Sequence, residues 1–217
     1  MPTALQRAMQ TLLTTSERRA LQRLSTPQKV QDFLDALPVN FERRGETNRS
    51  PRRVLRDRTA HCFEGAMFAA AAFAWHGRPA WLLDFRAPRD EDHVVAPFRI
   101  DGLWGAVSKT NHAVLRYRDP IYRSVRELAM SYVHEFFEWD GRKSLREYSR
   151  PFDLARLAPE EWIATEDDLH WLVNVLDDSP HLPVAPRKAI RQLRPVAALE
   201  LRTMRITEWN KRGKLNK

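Results

Sequence analysis

The sequence predicts an α+β chain: a buried helix packed on a small antiparallel sheet, flanked by helices from both ends. Three observations carry that expectation. Residues 62–75 are apolar on every face apart from Glu64, and a helix without a polar face is a buried one. Residues 93–100 then alternate with period two: Val94, Ala96, Phe98 and Ile100 form one set, and His93, Val95, Pro97 and Arg99 the other. Asp101-Gly102 follows at once, a strong two-residue hairpin signal.

The elements follow in order. The first forty residues read as helical, with Ser25-Thr26-Pro27 a cap-and-proline start and Val30, Phe33, Leu34 and Leu37 its apolar stripe. Ser50-Pro51 opens a short helix through Leu55. The buried helix is capped by Thr59 or Ala60, which places Cys62 in its first turn, and Gly77 suits the left-handed position that ends it. Residues 80–85 read as a strand, 103–109 as the return arm of the hairpin, and 113–118 as one more strand. Pro97 fits only an edge or a bulge. Beyond that the chain is mostly helical. A helix from Ser124 carries Val125, Leu128, Tyr132, Val133 and Phe136 and ends near Gly141. Another starts at residues 165–168. Pro186 and Pro195 punctuate a basic pair of helices, and the last eight residues form a frayed tail.

Bulk properties narrow the function classes. With 217 residues, 43% hydrophobic and 29% charged, the chain is globular, not disordered. Its longest apolar run, residues 66–75, is about half the ~20 residues a bilayer requires, so no membrane partner is expected. Without a signal-peptide pattern, and with a single cysteine, the chain reads as cytoplasmic. The net charge is +8, and seven arginines against three acids fall in residues 41–58. Without interleaved aromatics or a recognition motif, nucleic acid is not the expected partner. No glycine-rich phosphate loop is present, and His134-Glu135-Phe136-Phe137-Glu138 lacks the second histidine of a zinc-protease helix, so neither cofactor nor metal is expected. Trp81, Trp104, Trp139, Trp162 and Trp171 read as core or core-edge residues.

The chemistry centres on Cys62. A cysteine at a helix N-terminus gains from unpaired N–H groups and the positive dipole end, which favour the thiolate. It needs a histidine base, itself held by a third group. His93 is the candidate base. If Ile100 pairs with Leu103, Ser108 lies diagonally across the hairpin on the histidine's face, and Asn111 can turn back toward the same ring. Ser108 and Asn111 are thus the candidate orienting residues. The backbone N–H of Cys62 is a natural oxyanion donor, with Asn48 or an upstream arginine as possible side-chain donors. Each has a plainer role: a small buried hydrophobe for Cys62, a satisfied strand residue for His93, ordinary turn chemistry for Ser108 and Asn111. His61 adjoins the cysteine and could tune it; Glu64 suits the helix dipole.

The phrases AHCFEGAMFAAAAF, EDHVVAPFRIDG and LWGAVSKTN, in that order, resemble the transglutaminase-like branch of the papain-like cysteine enzymes. The similarity spans residues 50–119, about a third of the chain. It implies one domain over 1–217, with a helical extension (1–40), a catalytic core (50–119) and a helical C-terminal part (120–217). It further implies that Cys62 attacks an amide or ester carbonyl with His93 as base. The family's orienting aspartate commonly stands four residues after a tryptophan in a Gly-x-Trp phrase; here Gly102-Leu103-Trp104 leads to Ser108. The family's frequent aromatic two residues after the histidine is Val95. The expected function is an amide hydrolase or acyltransferase acting on a peptide, amide or other acyl substrate, an anionic one if the arginine-rich segment rims the cleft. A degenerate fold that only binds a ligand or protein is the alternative, and a basic nucleic-acid scaffold a third.

Overall fold

The computed structural model describes residues 1–43 and 45–216. Helices α1 (Ala4–Leu12), α2 (Thr15–Arg23) and α3 (Pro27–Asp35) begin at Thr3, Thr14 and Thr26, whose hydroxyls accept N–H groups of the first turn. Ser50 does the same for α4 (Pro51–Asp57). Helix α5 (Cys62–Trp75) is buried along its whole length after Cys62. Its cap is His61, one residue beyond the expected Ala60, because Ala60 is taken up by a short parallel bridge to Val39.

Strands β1 (Trp81–Arg86), β2 (His93–Ile100), β3 (Leu103–Val107) and β4 (Arg118–Tyr122) follow. Next come α6 (Val125–Met130), β5 (Glu147–Ser149), β6 (Phe152–Asp153), α7 (Pro159–Ile163), α8 (His170–Asp177), β7 (His181–Pro183), α9 (Arg187–Ile190) and α10 (Ala198–Leu201). The sheet is antiparallel, in the order β4-β3-β2-β1-β5-β7, with β6 beside the start of β1. Asp101 and Gly102 both take positive φ, as a tight hairpin turn demands, and the register runs from Ile100 opposite Leu103 to Ala96 opposite Val107. Pro97 stands two residues beyond Val95, the last β2 residue paired to β1.

Both faces of the sheet are covered, and the period-two pattern of β2 sorts its side chains between them. Val94, Ala96 and Phe98 join the core formed with α1–α5, while Val95 joins Leu83, Phe85, Leu128, Tyr132 and Phe136 on the other side. Alanines along α5 let the backbone come close. Gly65 marks the tightest approach: a Cβ there would lie 2.5 Å from the Lys109 Cβ.

Several expectations need correction. β4 starts at Arg118, not 113, and the β3 arm ends at Val107. The helix from Ser124 stops at Met130; residues 132–136 still bury Tyr132, Val133 and Phe136, but in turns that bring the Glu135 carboxylate to the Leu115 N–H and to Arg118, each at 2.6 Å. The helix expected from 165–168 begins later, at His170, as α8. The run before it docks α4: the Thr165 carbonyl accepts the Ser50 hydroxyl and Asp168 pairs with Arg53 at 2.8 Å. The tail expected to fray is bonded through residue 216: the Asn210 N–H donates to the Lys214 carbonyl, and the Asn216 N–H and side-chain amide donate to the carbonyls of Glu208 and Thr207. Trp162 is fully buried, whereas Trp139 is 65% exposed. Among the described residues, no helix is long and apolar enough to cross a membrane.

Candidate active site

Cys62 is the first residue of α5, and its partly exposed side chain opens into a cleft of about 410 Å³ that His61 and His93 also line. First-turn N–H groups have no partner within the helix, so they are turned toward whatever negative charge gathers there.

Beneath the cysteine lies a fully buried carboxylate. Glu64 accepts from the Asn40 amide at 3.1 Å, the Thr47 hydroxyl at 3.0 Å, the Arg49 N–H at 3.2 Å and the His61 N–H at 3.0 Å, with the Arg49 Nε 3.7 Å away. A buried charge is tolerable only when so thoroughly paired. Glu64 therefore does more than favour the helix dipole; it ties residues 40–49 to the entry of α5. His61 sits over it, with Nε2 2.7 Å from the Thr47 carbonyl and 3.5 Å from the Glu64 carboxylate.

On the other wall, His93 opens β2 with 6% exposure, its ring edge-on to Phe136. Its Nε2 lies 2.8 Å from the Ser108 hydroxyl oxygen. Ser108 gives its own proton to the Leu115 carbonyl, so the serine oxygen accepts from Nε2–H. That leaves Nδ1 with the lone pair a base requires. Ser108 is itself held by Gln31 of α3, whose side-chain oxygen accepts the Ser108 N–H at 3.0 Å and whose amide donates to the Ser108 carbonyl at 2.8 Å. Gln31 thus replaces the strand neighbour that Ser108 lacks. Sequence reading passed over it because it sits inside the apolar stripe of α3.

Burial by itself would push the Cys62 thiol up, but the neighbouring His61 and His93 rings bring it well below the usual thiol range. His61 is opposed by burial too, yet Cys62 and the Glu64 charge beside it raise it to about 9. Lys109, next to Ser108, is fully buried and driven down to about 8 by that burial; its ammonium donates to the carbonyls of Leu34 and Leu37 at the end of α3.

Of the four candidate residues, Cys62 and His93 line one cleft and Ser108 holds His93 by a hydrogen bond. Asn111 lines the same cleft, but its amide donates to the Trp209 carbonyl and accepts the Trp209 N–H, at 2.9 and 2.8 Å. Of the suggested side-chain oxyanion donors, Asn48 is committed to His170, and Arg49 to Thr59 and Glu64. Among the described residues, no arginine of the 41–58 segment lines the cleft. Arg52, Arg53 and Arg56 pair with Glu17, Asp168 and Glu166, and the segment contributes Phe41 and Glu42 to the lining. Asp90, Glu91, Asp92 and Glu135 line it as well. Away from the thiol, Asp84, Asp92 and Asp177 bring carboxylate oxygens within 4.8 Å of one another, with Asp84 held by His181 at 2.9 Å; nothing further marks a metal there.

No family model matches the chain, and no curated protein matches it in sequence.

Proposed function

We propose that the chain is a cysteine-dependent acyl-transfer enzyme of transglutaminase-like type, cleaving or transferring an amide, ester or thioester. The observation that carries the reading is the cleft shared by Cys62 and His93, in which Ser108 and the Leu115 carbonyl hold His93 through Nε2 and leave Nδ1 free to act as the base.

In this reading the Cys62 thiolate attacks the carbonyl carbon, and the C=O electron pair moves onto oxygen beside the Cys62 N–H. The pair returns, the bond to the leaving group breaks, and the His93 imidazolium hands it a proton. Water or an amine then gives a proton to His93 as it attacks the thioester, and the sulfur leaves as thiolate. Ser108 orients the ring without charge, so it supports the imidazolium less than a carboxylate would. The five carboxylates of the cleft favour a neutral or cationic substrate over the anionic one suggested by the arginines.

The test is turnover of a neutral aryl ester, followed by mass spectrometry of the acyl-protein. The expected result is an adduct on Cys62, no adduct or turnover in Cys62→Ser, and a loss on the order of 10²–10⁴-fold in His93→Ala. A folded wild-type chain that neither acylates nor turns over sinks the enzymatic reading. It leaves a binding module, for which the uncharged Ser108 is the supporting feature.

A further inference from the structure

We propose that His61 is a second catalytic imidazole: its standing positive charge holds the Cys62 thiolate, which frees His93 to move protons. The proposal rests on reading Cys62 as the nucleophile.

A site with one imidazole gives that ring two tasks that conflict. It must stay protonated to pair with the thiolate, yet shed its proton to act as acid and recover it as base. Here the two rings that line the cleft with Cys62 have opposite surroundings. His93 is backed by the Phe136 ring and the Ser108 hydroxyl, both uncharged. His61 is backed by carboxylates: Glu64 lies 3.5 Å and Glu42 3.8 Å from its Nε2, which also meets the Thr47 carbonyl at 2.7 Å. An acceptor carbonyl and two anions on one nitrogen fix it as a donor. The ring belongs to the residue that precedes Cys62 and lines the same cleft.

Nor can Glu64 move away. It is fully buried and receives hydrogen bonds from Asn40, Thr47, Arg49 and the backbone of His61 itself. Among the described residues, the charged and titratable groups around His61 are then Glu42 and Glu64, which favour its charge, the Arg49 guanidinium near Glu64, which opposes it, and Cys62 and His93 in the same cleft. The balance favours the imidazolium, in keeping with the rise to about 9. Through a catalytic cycle the proton on His61 stays in place. The leaving group takes its proton from His93, the attacking water or amine returns one to His93, and the thiolate released on deacylation still faces a cation.

The experiment is the pH dependence of iodoacetamide alkylation of Cys62, with ultraviolet thiolate absorbance alongside. Expected for the wild type is a thiolate already formed below pH 7. His93→Ala should keep that early thiolate while losing ester turnover. His61→Asn, which retains a good helix cap, should move the thiolate midpoint up by at least about one pH unit. An unmoved midpoint in folded His61→Asn, with an ordinary thiol in His93→Ala, overturns the proposal and leaves a one-imidazole enzyme. A wild-type thiol near the free value of ~8.5 instead removes the underlying reading of the site. Should His61→Asn not fold, the ring-proton NMR titration of wild-type His61 decides: a midpoint near 9 supports the role, and one at or below 6.5 ends it.

Discussion

The two walls of the cleft are held in place by different physics. The cysteine wall is assembled around a charge: Glu64, sealed under α5, draws residues 40–49 onto the helix entry through four donors. The histidine wall is assembled around neutral groups: Gln31 grips both backbone groups of Ser108, and Ser108 passes a hydrogen bond from His93 to the Leu115 carbonyl. The difference assigns tasks. A wall with a fixed anion suits holding a fixed cation beside the sulfur. A wall of uncharged partners suits a ring that must change its protonation state at little cost.

The largest effect should come from breaking the charged wall. Glu64→Ala removes the acceptor of the Thr47 hydroxyl and of the Arg49 and His61 N–H groups, and leaves the Asn40 amide to Thr47 and the Arg49 guanidinium to Thr59 and Asp57. Losing one side of a buried ionic network costs about 3–5 kcal/mol, a large share of the 5–15 kcal/mol that holds a typical domain together. Urea unfolding at neutral pH should show that loss; a change under ~1 kcal/mol would mean the network is not what anchors the wall. The same wall sets a pH signature. The folded-state value of His61 is raised to about 9 from 6.5, so its stabilising contribution is complete below pH 6.5 and is lost as pH climbs through 9.

Ser108→Ala attacks the neutral wall and should be gentler on stability. It removes one acceptor from His93 and one donor from Leu115, a cost of ~1–3 kcal/mol. Catalysis should suffer more, with kcat for an aryl ester falling on the order of ten- to a hundredfold as the ring loses its preferred tautomer and orientation. The Cys62 thiolate midpoint should barely move if His61 carries the charge. A shift as large as that of His61→Asn would erase the division between the walls.

How legible each wall was in the sequence follows from the same contrast. The hairpin is local: a turn dipeptide sets the register, the register sets which side chains share a face, and Ser108 reaches His93 as that arithmetic requires. Gln31 is 77 residues from Ser108, and no periodicity advertises a polar residue that bridges a helix and a strand end. The arginines between residues 49 and 56 misled for a related reason. Charge counts see composition, while the fold spends those side chains on Glu17, Asp168 and Glu166, which lie far away in the chain. The helix expected to run to Gly141 failed because hydrophobic spacing records which residues are buried, and turns at residues 131–136 bury the same ones.

Asn111 provides the smallest effect and the sharpest discrimination. By position it could hold His93, and it lines the cleft, but both ends of its amide are bonded to the backbone of Trp209. Those two bonds, with Glu208 N–H on the Asn111 carbonyl and His112 Nδ1 at the Met204 carbonyl, strap the C-terminal segment across residues 111–113. Asn111→Ala should therefore loosen the strap, seen as faster amide exchange or proteolysis after residue 198, at a cost of ~1–2 kcal/mol. The pH profile of Cys62 alkylation should stay in place and kcat within about threefold of wild type, against the ten- to hundredfold of Ser108→Ala. A collapse of kcat with the strap intact would transfer the orienting role from Ser108 to Asn111 and undo the assignment of the neutral wall.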